Sequence, residues 1–138
     1  MRACAILAVA VTATLVMAAP SRAEKSKLDG SRNLLCAASR VIECTTYGEC
    51  KDVPPVAAEL PDFFVLDFKK KQISAVQPPD DDTSPIEFTE NNHGSTIVTG
   101  SDGGEGWGIR VDQHTGKMSG AVYSNGMGFM IFGACTPQ

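Results

Sequence analysis

The sequence predicts an all-β domain: a small antiparallel meander of about seven to nine strands that closes into a barrel, with a two-sheet sandwich as the alternative. Three observations carry this. Gly and Pro recur roughly every eight to twelve residues from Ser31 onward, separated by short runs of β-branched and aromatic residues. No stretch of that region repeats its apolar residues with the roughly 3.6-residue period of a helix. Two turns placed independently near the C-terminus put one set of residues on a shared apolar face, the agreement between levels that marks a foldable sequence.

The chain opens with what reads as an export leader. Met1-Arg2 supplies a positive start, Ala5 through Ala19 is uncharged and apolar apart from two threonines, and Pro20 ends any helix. Ser21-Arg22-Ala23 places small residues where a signal peptidase reads them, so the expected cut follows Ala23 and leaves a single β domain over residues 24–138. The apolar run falls short of the roughly 20 residues that cross a ~30 Å hydrocarbon layer, so no membrane span is expected. Neither Cys4 nor Cys36 stands where an acylated cysteine should. The expected location is the periplasm or the exterior.

Cys4 leaves with the leader, and Cys36, Cys44, Cys50 and Cys135 remain. An even number in an exported chain reads as disulfides, with three possible connectivities. The favoured pairing joins Cys44 to Cys50 across one hairpin and Cys36 to Cys135 between the two ends. Zinc would want paired C-x-x-C spacing, which these cysteines lack.

Asn33 to Arg40, with Leu34-Leu35 and Ala37-Ala38, reads equally as a helical turn or a first strand. Phe64-Val65-Leu66-Asp67-Phe68 is a strand with Phe64, Leu66 and Phe68 on one face, and Lys69-Lys70-Lys71 turns into a second strand over Gln72 to Val76. Pro78-Pro79-Asp80-Asp81-Asp82 is a loop. Pro85 to Thr89 and Ser95 to Thr99 follow as strands joined through Asn91-Asn92-His93-Gly94, and Gly100 to Gly106 reads as a flexible hairpin loop.

The C-terminal third is the most explicit. Asn125-Gly126 signals a two-residue type I′ hairpin, which sets Val122 opposite Phe129, Gly120 opposite Ile131 and Met118 opposite Gly133. Gln113-His114-Thr115-Gly116 reads as a four-residue turn with Gly116 left-handed. It sets Asp112 opposite Lys117, Val111 opposite Met118, Ile109 opposite Gly120 and Trp107 opposite Val122. Trp107 is expected to pack over Gly120 in a core filled with Phe129 and Ile131. Tyr123 falls on the other face, expected to cover Gly128. In the last strand both faces are apolar, so Met130 and Phe132 are expected to lie beneath the N-terminal segment.

The chemistry-bearing residues form no recognised constellation. Asp80-Asp81-Asp82 lacks the D-x-[DN]-x-[DN]-G spacing of a calcium loop, and the Gly100–Gly106 run has neither a following Lys-Ser/Thr nor the helix a phosphate loop needs. His93 and His114, the only histidines, sit in separate predicted turns, and Ser95, Ser101 and Ser119 have no G-x-S-x-G context. Neither an enzyme nor a cofactor or metal protein is expected. The net charge of −4 becomes −6 when Arg2 and Arg22 leave with the leader, which disfavours nucleic acid and anionic membranes as partners.

Two resemblances add to this. Leu34-Leu35-Cys36-Ala37, Val41-Ile42-Glu43-Cys44, the Trp107 strand ending at Asp112, Thr115-Gly116-Lys117-Met118 and Phe132-Gly133-Ala134-Cys135-Thr136-Pro137 resemble a group of small, uncharacterised secreted proteins of proteobacteria, which implies a periplasmic location. Ser119-Gly120-Ala121-Val122-Tyr123-Ser124-Asn125-Gly126 resembles the S-G-x-x-Y segment of periplasmic inhibitors of c-type lysozyme, small disulfide-closed β-barrels whose serine helps block the lysozyme cleft. Phe132-Gly133-Ala134-Cys135 stands where those inhibitors carry W-x-K-G.

The leading expectation is thus a non-catalytic, monomeric binding or interaction module for an unidentified protein or small ligand, with Ser119, Tyr123 and Trp107 as candidate contacts. A lysozyme-inhibitor-like protein and a barrel carrying a small apolar ligand are the alternatives. The last of these requires an internal cavity.

Overall fold

The computed structural model describes residues 27–77 and 81–138. The expected leader over residues 1–23, and residues 78–80 of the acidic loop with the calcium candidate Asp80, lie outside the described residues. Ten strands build one antiparallel sheet: β1 (Leu34–Thr45), β2 (Cys50–Val53), β3 (Phe63–Asp67), β4 (Gln72–Gln77), β5 (Thr83–Pro85), β6 (Phe88–Asn92), β7 (Ser95–Asp102), β8 (Glu105–Asp112), β9 (Lys117–Ser124) and β10 (Met127–Pro137). Nine follow the path β5-β4-β3-β1-β10-β9-β8-β7-β6, and β2 pairs with the second half of β1. The sheet curls into a half-barrel, and its sole helical element among the described residues is the 3-10 turn Pro55–Ala58.

The hairpins from β6 to β10 form a meander, but the middle of the sheet is made by its first and last strands. β1 and β10 run antiparallel from Leu34↔Pro137 to Thr45↔Met127. Leu34 to Arg40 is therefore strand, not helical turn. Its pattern is irregular because the register shifts between Ala38 and Arg40. Leu34 and Cys36 point inward before that bulge and Val41 after it, so the inward parity changes from even to odd. The Ser39 hydroxyl donates to the Phe132 carbonyl oxygen at 3.0 Å and holds the bulge in place. Both expected disulfides close cross-strand pairs, Cys36–Cys135 between β1 and β10 and Cys44–Cys50 between β1 and β2.

Turn chemistry set most of the register correctly. Val122↔Phe129, Ile131↔Gly120 and Gly133↔Met118 pair as expected, as do Val111↔Met118, Ile109↔Gly120 and Trp107↔Val122. Gly116 has φ 72° in the four-residue turn. The Asn125-Gly126 turn is not type I′, because only Gly126 takes positive φ, at 80°. The glycine-rich loop is shorter than expected. β7 and β8 extend to Asp102 and Glu105, and Gly103-Gly104, both with positive φ, make the two-residue turn.

Pro85 to Thr89 is two strands rather than one. β5 pairs with β4 and β6 with β7, and between them the chain changes partner. The Ile86 amide donates to Lys71 O at 2.9 Å, on the β4 side, and the Glu87 amide donates to Thr99 O at 3.0 Å, on the β7 side. The chain therefore passes from one end of the sheet's path to the other at this link. A third tie crosses the same gap, where the Trp107 indole N–H donates to Ser84 Oγ at 2.7 Å.

The core runs along the concave face, where Leu34, Val41, Leu66, Val98 and Val111 are wholly buried. The described residues before β1, 27–33, do not lie over β10. They cross one end of the half-barrel, where Thr96 Oγ1 donates to the Leu28 carbonyl at 2.7 Å and Asn91 Nδ2 to the Asp29 carbonyl at 2.8 Å. Met130 and Phe132 accordingly stay on the convex face, 43% and 38% exposed, contrary to expectation. Cross-strand pairing of β1 along β10 satisfies the backbone without covering those side chains.

Candidate functional site

The end of the half-barrel away from Leu28 opens into a cavity of about 420 Å³. Its walls come from nearly every part of the sheet: Phe64 on β3, Ile73 on β4, Trp107 and Ile109 on β8, Val122 on β9 and Ile131 on β10. Leu60, just past the 3-10 turn, stands over it. The core is thus not filled as the sequence suggested. Trp107 and Ile131 are buried, but they line a space instead of closing it, and Phe129 lines a second cavity of about 290 Å³. Leu60, Val122 and Glu105 face both cavities.

Trp107 takes its place through glycine, though not the expected one. A Cβ on Gly100, its cross-strand partner on β7, would overlap the indole and the Pro85 carbonyl oxygen. Gly120 instead receives Ile109, whose Cγ1 would lie 3.2 Å from an added Cβ. Bare backbone at Gly100 lets β5 approach β7, and that approach carries Ser84 to the indole N–H. The Ser84 hydroxyl accepts there and keeps its own proton available on the cavity wall. Sequence reasoning passed over Ser84, Ile73 and Leu60. None of them stands in a motif, and they meet only when β4 and β5 fold back across β8.

The polar groups at the opening are carboxylates. Asp102 and Glu105 flank the Gly103-Gly104 turn, face each other as a direct cross-strand pair, and both line the larger cavity. Glu43 and Glu59 border the smaller one together with Glu105. Glu43 is engaged by Lys51 Nζ at 3.1 Å.

The remaining sequence candidates fall elsewhere. Ser119 is half-buried in the middle of β9, facing outward between its cross-strand neighbours Phe132 and Arg110. Tyr123 is 63% exposed on the same face and covers Gly106; over Gly128 an added Cβ would meet nothing within 4 Å. Ser119 and Tyr123 therefore share a surface with each other but not with Trp107. His93, with φ 48°, and His114 are on turns at the Leu28 end, where an added Gly94 Cβ would lie 3.5 Å from His114 Nε2. Among the described residues no group of three His, Cys, Asp or Glu side chains is arranged to hold a metal ion.

Two aspartates at the Leu28 end do similar structural work. Asp112 is held below the usual carboxylate range by the Thr115 amide, then by the Thr115 hydroxyl and the His114 amide, all donating to it. Asp67 is lowered chiefly by the Lys70 amide, with the Lys69 amide also donating.

Fold and site together define a disulfide-bonded β half-barrel with an apolar cavity opening at one end. No family model, curated protein or solved structure matches the chain. No helix among the described residues is long and apolar enough to cross a membrane. Two disulfides are what an oxidising compartment outside the cytoplasm produces.

Proposed function

We propose that this chain is an exported, non-catalytic binding module that holds a small apolar ligand within its half-barrel, in the periplasm or outside the cell. The observation that supports it is the cavity itself. Its 420 Å³ lies within the roughly 300–1,000 Å³ typical of small-ligand sites, which pair apolar walls with a few placed polar groups. Here the walls are Phe64, Ile73, Trp107, Ile109, Val122 and Ile131, and Ser84 is the polar group among them. In this reading the meeting of β5 and β7 at the Ile86-Glu87 link closes the barrel around the ligand.

Trp107, the chain's only tryptophan, supplies the assay. The oxidised domain is titrated with the neutral probe N-phenyl-1-naphthylamine while indole emission is followed. The expected result is saturable one-to-one binding with energy transfer from Trp107, and its loss in Val122→Trp, which fills the cavity. Absence of saturable binding, or equal binding by Val122→Trp, overturns the proposal. Near-stoichiometric inhibition of hen lysozyme by a domain that binds no probe would replace it with the inhibitor reading.

A further inference from the structure

The charged groups around the two cavities are all of one sign. Asp102 and Glu105 line the larger, Glu43, Glu59 and Glu105 the smaller, and no Lys, Arg or His lines either. Glu43 has Lys51 as its counter-ion; the ion pairs described in the structure involve neither Asp102, Glu59 nor Glu105. An acidic rim alone says little, since carboxylates on a surface are usually solvated. The placement of Asp102 and Glu105 says more. They stand directly opposite each other across the β7–β8 ladder, the position where like charges destabilise a hairpin. A two-residue Gly-Gly turn fixes that opposition and leaves neither strand room to slip. A local rule broken without compensation in the free protein marks a place where function sets the residue choice.

From this we infer, building on the ligand-binding reading above, that the cavity takes a cationic amphiphile, an alkyl- or arylalkyl-ammonium. Its apolar body lies against Trp107, Ile109 and Ile131, and its ammonium head sits between Asp102 and Glu105. The head supplies the counter-charge that the facing carboxylates lack. The apolar wall beside them lowers the local dielectric and strengthens that attraction relative to open water. The same field repels a fatty-acid carboxylate, so an anionic amphiphile of equal length is rejected.

The test compares three probes with one tail, decyltrimethylammonium and decanoate below their micellar concentrations and 1-decanol below its solubility limit, read by Trp107 emission and by calorimetry on the oxidised domain. An exposed charge pair is worth at most a factor of about five in affinity. Two carboxylates therefore make the ammonium bind about tenfold more tightly than the alcohol at ~0.01 M salt, with decanoate weakest. Raising salt to ~1 M, where the screening length falls to about 3 Å, brings ammonium and alcohol together. Asp102→Asn with Glu105→Gln should also equalise them, and raise the melting temperature of the ligand-free domain by removing the repulsion. That last sign is opposite to the loss expected if the two side chains merely support the fold. Equal binding of decanol and the ammonium at low salt refutes the inference and leaves the ligand-binding reading intact. Failure of all three probes refutes both.

Discussion

The two disulfides should differ sharply in what they contribute, and the difference can be worked from the topology. Cys36 and Cys135 are separated by 99 residues, Cys44 and Cys50 by 6. The chain-entropy relation assigns about 4.7 kcal/mol to closing a loop of the first size and about 2 kcal/mol to the second. Burial widens the gap. Cys36 is fully buried and Cys135 nearly so, whereas Cys50 is exposed, so replacing the first pair with alanine also leaves a small void in the core. Against the 5–15 kcal/mol total expected of roughly any small domain, Cys36→Ala/Cys135→Ala should lose about 5 kcal/mol and Cys44→Ala/Cys50→Ala about 2 kcal/mol. Urea unfolding of the oxidised variants, followed by circular dichroism, measures both. Mild reductant with alkylation and mass spectrometry should label Cys44 and Cys50 first, and Cys36 and Cys135 only with added denaturant. Equal losses from the two pairs, or earlier labelling of Cys36, would refute the reasoning.

Other perturbations follow from single contacts. Gly100→Ala places a methyl group against the Pro85 carbonyl and the Trp107 ring, so it should cost about 1–3 kcal/mol by overpacking and shift indole emission. Thr45 Oγ1 is buried without a hydrogen-bond partner among the described residues, so Thr45→Val should raise stability by up to about 1 kcal/mol in thermal melts. Asp67 and Asp112 are held below the ordinary carboxylate value. Their contribution is therefore present above the unfolded-state pKa, about 3.9, and is lost as pH falls through the lower folded-state values. Asp112→Asn should flatten the acid limb of stability against pH and leave the limb near neutrality in place.

What could be read in advance was whatever a local turn determines. Gln113–Gly116 and Asn125-Gly126 set the pairing of β8, β9 and β10 because loop length fixes register, even though the second turn proved to be of another type. The favoured disulfides were legible from compartment logic and spacing. β1 was not, because the bulge after Ala38 reverses inward parity and no single period fits its residues. The break at Ile86-Glu87 was hidden for a related reason. The local sequence is continuous β, and only the tertiary partner changes. Met130 and Phe132 look like core by composition, yet burial depends on a covering layer that no local pattern encodes. The cavity was the least legible feature of all, since an unfilled space is defined by side chains from β3 to β10 that stop short of one another.

The pairing of β1 with β10 also determines when this chain can acquire its structure. β3, β4 and β5 join the rest of the sheet's path only through β1, and β1 joins the meander of β6 to β10 only through β10. As the chain folds, β1 can dock at once against β2 and β3, but its other edge stays open until the last eleven-residue strand arrives. The Cys44–Cys50 hairpin can oxidise early, because its two ends are close in sequence, but Cys36 must wait for Cys135. Such non-local closure is slow, because loop entropy is spent before the distant contacts form. The two parts of the sheet therefore stay apart until β10 is in place and then lock through it. A truncation of that strand divides the sheet at its centre rather than trimming its edge.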